Sequence, residues 1–208
     1  MNKDWSELYK TMQLQIKKND TFSAGINTLL ELRKELMKQI MQFKNELTFA
    51  DFSAMPYMNA KGYHNKTIAY SLWHVFRIED IVAHSLIAGD AQVFFKGDYQ
   101  RRINSPIITT ANELVKQDIE AFSKKLSVEE LYNYIIEVDR STTQILNELT
   151  FCDMKEKMTD EKGKSLEKLN VVSEDENAYW LIDYWCGKDV KGLIQMPFSR
   201  HWIMHIEA

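Results

Sequence analysis

Apolar residues recur at helical intervals along most of this chain and divide it into successive helices. Between Ser23 and Leu47, the residues Ile26, Leu29, Leu30, Leu36, Met37, Ile40, Phe43 and Leu47 recur at three- and four-residue intervals, with Lys and Glu between them. That spacing predicts an amphipathic helix with one buried stripe. A shorter helix is predicted before it, from about Trp5 to Lys18. From Thr67 to about Ala88 the pattern changes. Ile68, Leu72, Trp73, Val75, Phe76, Ile78, Ile81, Val82, Leu86 and Ile87 cover nearly the whole circumference, which predicts a helix buried on all sides.

Helix starts are marked by capping boxes. Thr110-Ala111-Asn112-Glu113 predicts a helix whose stripe is Val115, Ile119, Phe122 and Leu126. Ser127-Val128-Glu129-Glu130 opens a second, with Leu131, Ile135, Val138, Thr142, Ile145 and Leu149 in helical register. Ser173-Glu174-Asp175-Glu176 leads into Tyr179-Trp180-Leu181-Ile182-Asp183-Tyr184-Trp185, with Gly187 as the stop. A last helix is expected near Pro197, a residue tolerated at the first helical position. Two long connections remain, about Gly89 to Thr109 and about Thr150 to Ser173. Loops of that length are commonly binding or mobile segments.

Composition narrows the class. Hydrophobic residues are 45% and charged residues 27% of the 208, and only 7 Gly and 3 Pro occur, too few breakers for a strand-and-turn architecture. One all-α domain over residues 1–208 is the expectation. Four principal helices with two excursions predict a four-helix bundle, a fold that often builds metal sites from side chains facing its interior. A formal net charge of −4 gives no electrostatic reason to expect nucleic acid or an anionic membrane as partner. The N-terminus lacks a secretory pattern and no apolar run approaches a membrane span, so a soluble, cytoplasmic protein is expected. The 2 cysteines, Cys152 and Cys186, are far apart and lack a CxxC partner, so free thiols with packing roles are expected.

The chemistry is concentrated in three histidines. His201 and His205 are four apart in Ser199-Arg200-His201-Trp202-Ile203-Met204-His205-Ile206, so on a helix their rings lie within about 40° of each other, one turn apart. With His74 from the most apolar helix they would make a facial set of nitrogen ligands suited to zinc, nickel or ferrous iron. A core histidine satisfied by one hydrogen bond is the competing reading for His74. His84 should face elsewhere on the same helix, about 280° round from His74, and His64 lies in a polar loop where solvation is expected. Glu79 should point inward, either paired with an arginine or serving a ligating imidazole or a base role. Arg77 could anchor an anionic substrate or snorkel to the surface. Trp180, Tyr184, Trp185 and Trp202 could line a pocket or form core.

The run Ile68-Ala69-Tyr70-Ser71-Leu72-Trp73-His74-Val75-Phe76-Arg77-Ile78-Glu79-Asp80-Ile81, with the terminal His201-xxx-His205, resembles the DinB-like (DinB/YfiT) family of metal-dependent enzymes. The order of elements matches over about residues 20–208. The resemblance implies a four-helix bundle with a divalent metal, whether zinc, nickel, iron or manganese, on His74, His201 and His205. It also implies a small-molecule substrate and a homodimer. Some members use a low-molecular-weight thiol as cosubstrate, so thiol transfer is the expected reaction class and hydrolysis the next. Binding of a metal or small ligand without turnover is the alternative. After the final histidine the family often continues with a His/Arg-Gly-Gln-like stretch, where this chain reads Ile206-Glu207-Ala208.

Overall fold

The computed structural model describes residues 2–208, except the side chain of Tyr63. The described residues are mostly helical and form no strand, apart from an isolated antiparallel bridge between Lys157 and Asp189. Helix α1 spans Lys3–Gln15 and α2 spans Phe22–Glu46. They pack closely along their length, and a Cβ at Gly25 would lie 2.6 Å from Ile16 Cγ2, so only glycine fits at that approach. Helix α3, Ile68–Asp80, is capped by the Thr67 hydroxyl on the Tyr70 N–H and runs on into a π-helical segment, Ile81–Ala88. As predicted, it is buried nearly all round, and even Arg77, Glu79 and Asp80 are fully enclosed.

Helix α4, Val128–Glu148, starts at the predicted Ser127 cap and buries Leu131, Ile135, Val138, Thr142 and Leu146. The second long connection is not a bare loop: it holds a single turn, Asp153–Lys155, and helix α5, Asp160–Leu169. The first holds two short helices, Val93–Lys96 and Tyr99–Ile103. Helices this short are marginal on their own and leave little periodic signal. Helix α6, Glu176–Cys186, is capped by Asp175 rather than Ser173 and ends at Gly187. Pro197 sits in a π-helical turn, Met196–Arg200, that feeds α7, His201–Ile206.

The helix expected from Thr110 does not form there. Residues 104–116 make an irregular strap in which Ala111 and Lys116 have φ of 65° and 49°, and only Gln117–Ser123 is helical. The reason is visible in the strap's carbonyls. Three in a row are taken by side chains of α3: Ile108 accepts from Arg77, Thr109 from the Trp73 indole, and Thr110 from His74. A carbonyl committed sideways in this way has one fewer lone pair and a fixed orientation, and the backbone follows α3 instead of coiling.

Two apolar clusters fill the interior, one around Leu32, Trp73, Phe76 and Trp202, the other around Leu29, Ile78, Trp185 and Phe198. Helix α3 contributes to both, and α7 packs against α3 and α2 where they meet. No described helix is long and apolar enough to cross a membrane. Cys186 is half-buried and Cys152 is exposed, so a packing role does not extend to Cys152.

A candidate metal centre of three histidines

His74 comes from α3, and His201 and His205 from α7; they are 6%, 6% and 8% exposed, buried side chains from opposite ends of the chain. The three rings form a near-equilateral cluster, with centroids 4.9, 4.9 and 4.7 Å apart. Each ring offers a nitrogen, and the three nitrogens lie within 4.8 Å of one another. The four-residue spacing does what helical geometry demands of it, turning both α7 rings toward α3.

Hydrogen bonding selects the nitrogen on His74. Its Nδ1 donates to the Thr110 carbonyl at 2.8 Å. A carbonyl can only accept, so the proton sits on Nδ1 and the Nε2 lone pair remains for another partner. His201 Nδ1 is buried with no hydrogen-bond partner. Burial holds all three imidazoles neutral: desolvation lowers His74 to about 4, and desolvation followed by mutual repulsion holds His201 and His205 well below the ordinary histidine value. Neutral rings with inward lone pairs are the state a metal requires. A zinc ion held at about 2.0–2.1 Å keeps tetrahedral nitrogens roughly 3.3 Å apart.

A further contact escaped the sequence reading. Tyr70 lies one turn before His74 and stacks on it, centroids 5.6 Å apart and planes within 11°. The Lys66 ammonium sits 4.9 Å over the other ring of this pile, Tyr70. An aromatic at i−4 from a histidine is the signal that could have found the stack.

The remaining candidates have definite places. Glu79 forms a bidentate ion pair with Arg33 of α2, at 2.7 and 2.9 Å, and accepts the Trp202 indole N–H at 2.7 Å. It therefore braces α7 against α2 and α3 and is not beside the imidazole nitrogens. Arg77 neither snorkels nor offers itself to a substrate. It is fully buried and bonded to Asp80, Tyr134, Gln92 and the Ile108 carbonyl. His64 is exposed, with Nδ1 3.2 Å from the Ala208 carbonyl.

His84 sits between Asp90, at 2.5 Å from Nδ1, and the Ser141 hydroxyl, at 3.0 Å from Nε2. That is the order of a serine-nucleophile triad, but Ser141 lies in mid-helix α4, where backbone N–H groups are spent within the helix and leave no oxyanion donors. The trio ties α4 to the end of the π-helical segment.

Two cavities reach the histidines. One, of about 270 Å³, is lined by His74 and His201 together with Ile78, Asn112, Trp180, Leu181, Tyr184, Trp185, Met196 and Pro197. Three of the four flagged aromatics are thus pocket wall, while Trp202 is core, packed on Phe76 at 4.6 Å and under Arg33 at 4.4 Å. The other cavity, of about 390 Å³, meets His205 and includes Asp51, His64 and Lys66. Compared with models of protein families and with curated proteins, the sequence finds no match to either.

Proposed function

We propose that this protein is a divalent-metal-dependent enzyme whose cation is held by His74, His201 and His205. The observation that carries the reading is the meeting of three buried, neutral imidazoles within 4.8 Å, with one lone pair already selected by the Thr110 carbonyl. Without a cation the buried Nδ1 of His201 would stand unsatisfied, which is costly. The donor set suits zinc, nickel, ferrous iron or manganese, with imidazole favouring the first three. The packing of α2, α3, α4 and α7 on one another supports a DinB-like four-helix bundle as the frame.

A cation with three protein ligands and open positions supplies Lewis acidity and a lowered pKa for a thiol or water. The chain's own residues do the rest. Thr110 fixes the His74 tautomer and ring plane, as outer partners of ligating histidines do. The Glu79–Arg33–Trp202 network holds α7 in place, and the wall of Trp180, Tyr184 and Trp185 keeps bulk water from one face. Transfer of a low-molecular-weight thiol to a small electrophile is the reaction class we assign, with hydrolysis second.

One observation favours binding without turnover: among the described residues no carboxylate lines the cavity at His74 and His201 to serve there as a general base. The test is metal content, by elemental analysis, of protein purified without a His tag. About one equivalent in the wild type and none in a His74→Ala, His201→Ala double variant is expected. Equal content in both ends the reading. Metal-dependent consumption of a thiol with an electrophile then separates catalysis from binding.

A further inference from the structure

The cavity at His74 and His201 carries information about what enters it. Its walls are the rings of Trp180, Tyr184 and Trp185, and no Lys, Arg, Asp or Glu lines it among the described residues. Trp180 and Tyr184 meet edge to face, with centroids 5.8 Å apart and planes at 74°. The Trp180 N–H is spent on the Asn177 carbonyl, 2.9 Å away in its own helix. Yet Trp180 is 50% exposed, so an apolar ring stands at the mouth with its one polar group already satisfied. Besides the imidazoles and the Tyr184 phenol, the wall carries the amide of Asn112, whose Oδ1 accepts from the Thr110 hydroxyl at 2.8 Å, leaving its NH₂ as a donor.

The geometry points to an uncharged, ring-bearing small molecule as the ligand of this cavity, its ring against Trp180 and Tyr184 and an oxygen placed to accept from the Asn112 NH₂ and to face the two imidazoles. The inference rests on the metal reading above for what happens at the ligand's oxygen end, but the wall chemistry stands by itself. About 270 Å³ is room for a molecule of one or two fused rings. Aromatic walls reward an offset or edge-on ring. A carboxylate placed there would lose its hydration and find no lysine or arginine in the wall. The second cavity, beside His205, contrasts with it in having the charged side chains of Lys66 and Asp51 in its lining.

The experiment uses 2-naphthol, neutral at pH 7, and 2-naphthoate, the same ring system carrying a carboxylate. Quenching of tryptophan fluorescence in metal-free protein reads binding directly. Saturable binding of 2-naphthol, about tenfold tighter than 2-naphthoate, is expected. Trp180→Ala, at an exposed position that leaves the fold intact by circular dichroism, should weaken it about fivefold, and Trp180→Phe should restore most of the loss. Tyr184→Ala gives a second, independent loss. Equal or tighter binding of 2-naphthoate, or indifference to both substitutions, overturns the inference.

Zinc binding, measured by calorimetry on the same samples, separates the two readings. Naphthol binding without zinc binding sinks the metal assignment alone, and zinc binding without naphthol binding sinks the ligand assignment alone. In cobalt-loaded protein, 2-naphthol should shift the visible absorption of the metal. An unchanged spectrum at saturating 2-naphthol overturns the placement of its oxygen end.

Discussion

The indole N–H of Trp202 donates to the carboxylate of Glu79 at 2.7 Å, although the two residues are 123 positions apart. The same carboxylate grips Arg33 with both oxygens, and Arg33 reaches on to Asp139 at 2.6 Å and to the Phe198 carbonyl at 3.3 Å. One buried acid thereby joins α2, α3, α4 and α7, and it sits five residues along α3 from His74 while Trp202 adjoins His201. The histidine cluster keeps its spacing because this network fixes how α7 lies on α3.

Breaking the network by Glu79→Ala strands a buried guanidinium with only the partly exposed Asp139 as counterion. A loss of about 3 kcal/mol is expected, at the lower end for breaking a buried pair. Arg33→Met combined with Glu79→Leu should recover most of it, since no charge is then left buried. Urea denaturation of the three proteins checks both statements. A double variant as unstable as Glu79→Ala alone would contradict the explanation.

Adding zinc should raise the melting temperature, because the cation binds the folded cluster and has no preformed site in the unfolded chain. At a free concentration of about a thousand times Kd the gain is roughly 4 kcal/mol. A chelator should reverse it, and His205→Ala should abolish most of it. Differential scanning calorimetry reads all three.

Metal-free protein should lose stability on mild acidification. The folded pKa of His74 is depressed to about 4, chiefly by burial, against about 6.5 when unfolded, and His201 and His205 are depressed in the same direction. Below about pH 6.5 the unfolded chain gains protons that the folded one refuses, so stability present above that pH is lost as it falls toward 4. His74 alone contributes on the order of 3 kcal/mol to the loss. His74→Gln should flatten the pH profile of the unfolding free energy. A profile flat between pH 7 and 5 in the wild type would refute the neutral-cluster description.

The strap that orients His74 can be tested without touching a histidine. Ala111 is fully buried at φ 65°, a conformation that a β-branched residue adopts only with strain. Ala111→Val should cost about 2 kcal/mol and, by displacing the Thr110 carbonyl, weaken zinc binding about tenfold. Ala111→Gly, free to adopt that φ, should bind zinc as the wild type does. Calorimetric titration distinguishes the pair.

Where a side chain's fate depends on its own helix, the sequence was enough. Periodicity placed α2, α4 and, with its π-helical continuation to Ala88, α3 within a residue or two, and Ser127 capped α4 as its box implied. The i, i+4 spacing of His201 and His205 put both rings on one face because helical pitch is a local property. His74 was legible as a candidate ligand on the most apolar helix.

What local rules could not supply was decided by contacts across the chain. The Thr110 box reads as a helix start, but Trp73, His74 and Arg77 claim three successive carbonyls there, and the backbone serves α3 instead. Arg77 reads as a surface or substrate residue, but Asp80, Tyr134 and Gln92 meet it inside the fold. Whether His74 would face the terminal pair depended on how α7 crosses α3, a matter of packing and of the Glu79–Arg33 pair. Hydrophobic spacing says which face of a helix is buried. Which other helix buries it is decided only when all the faces compete for one interior.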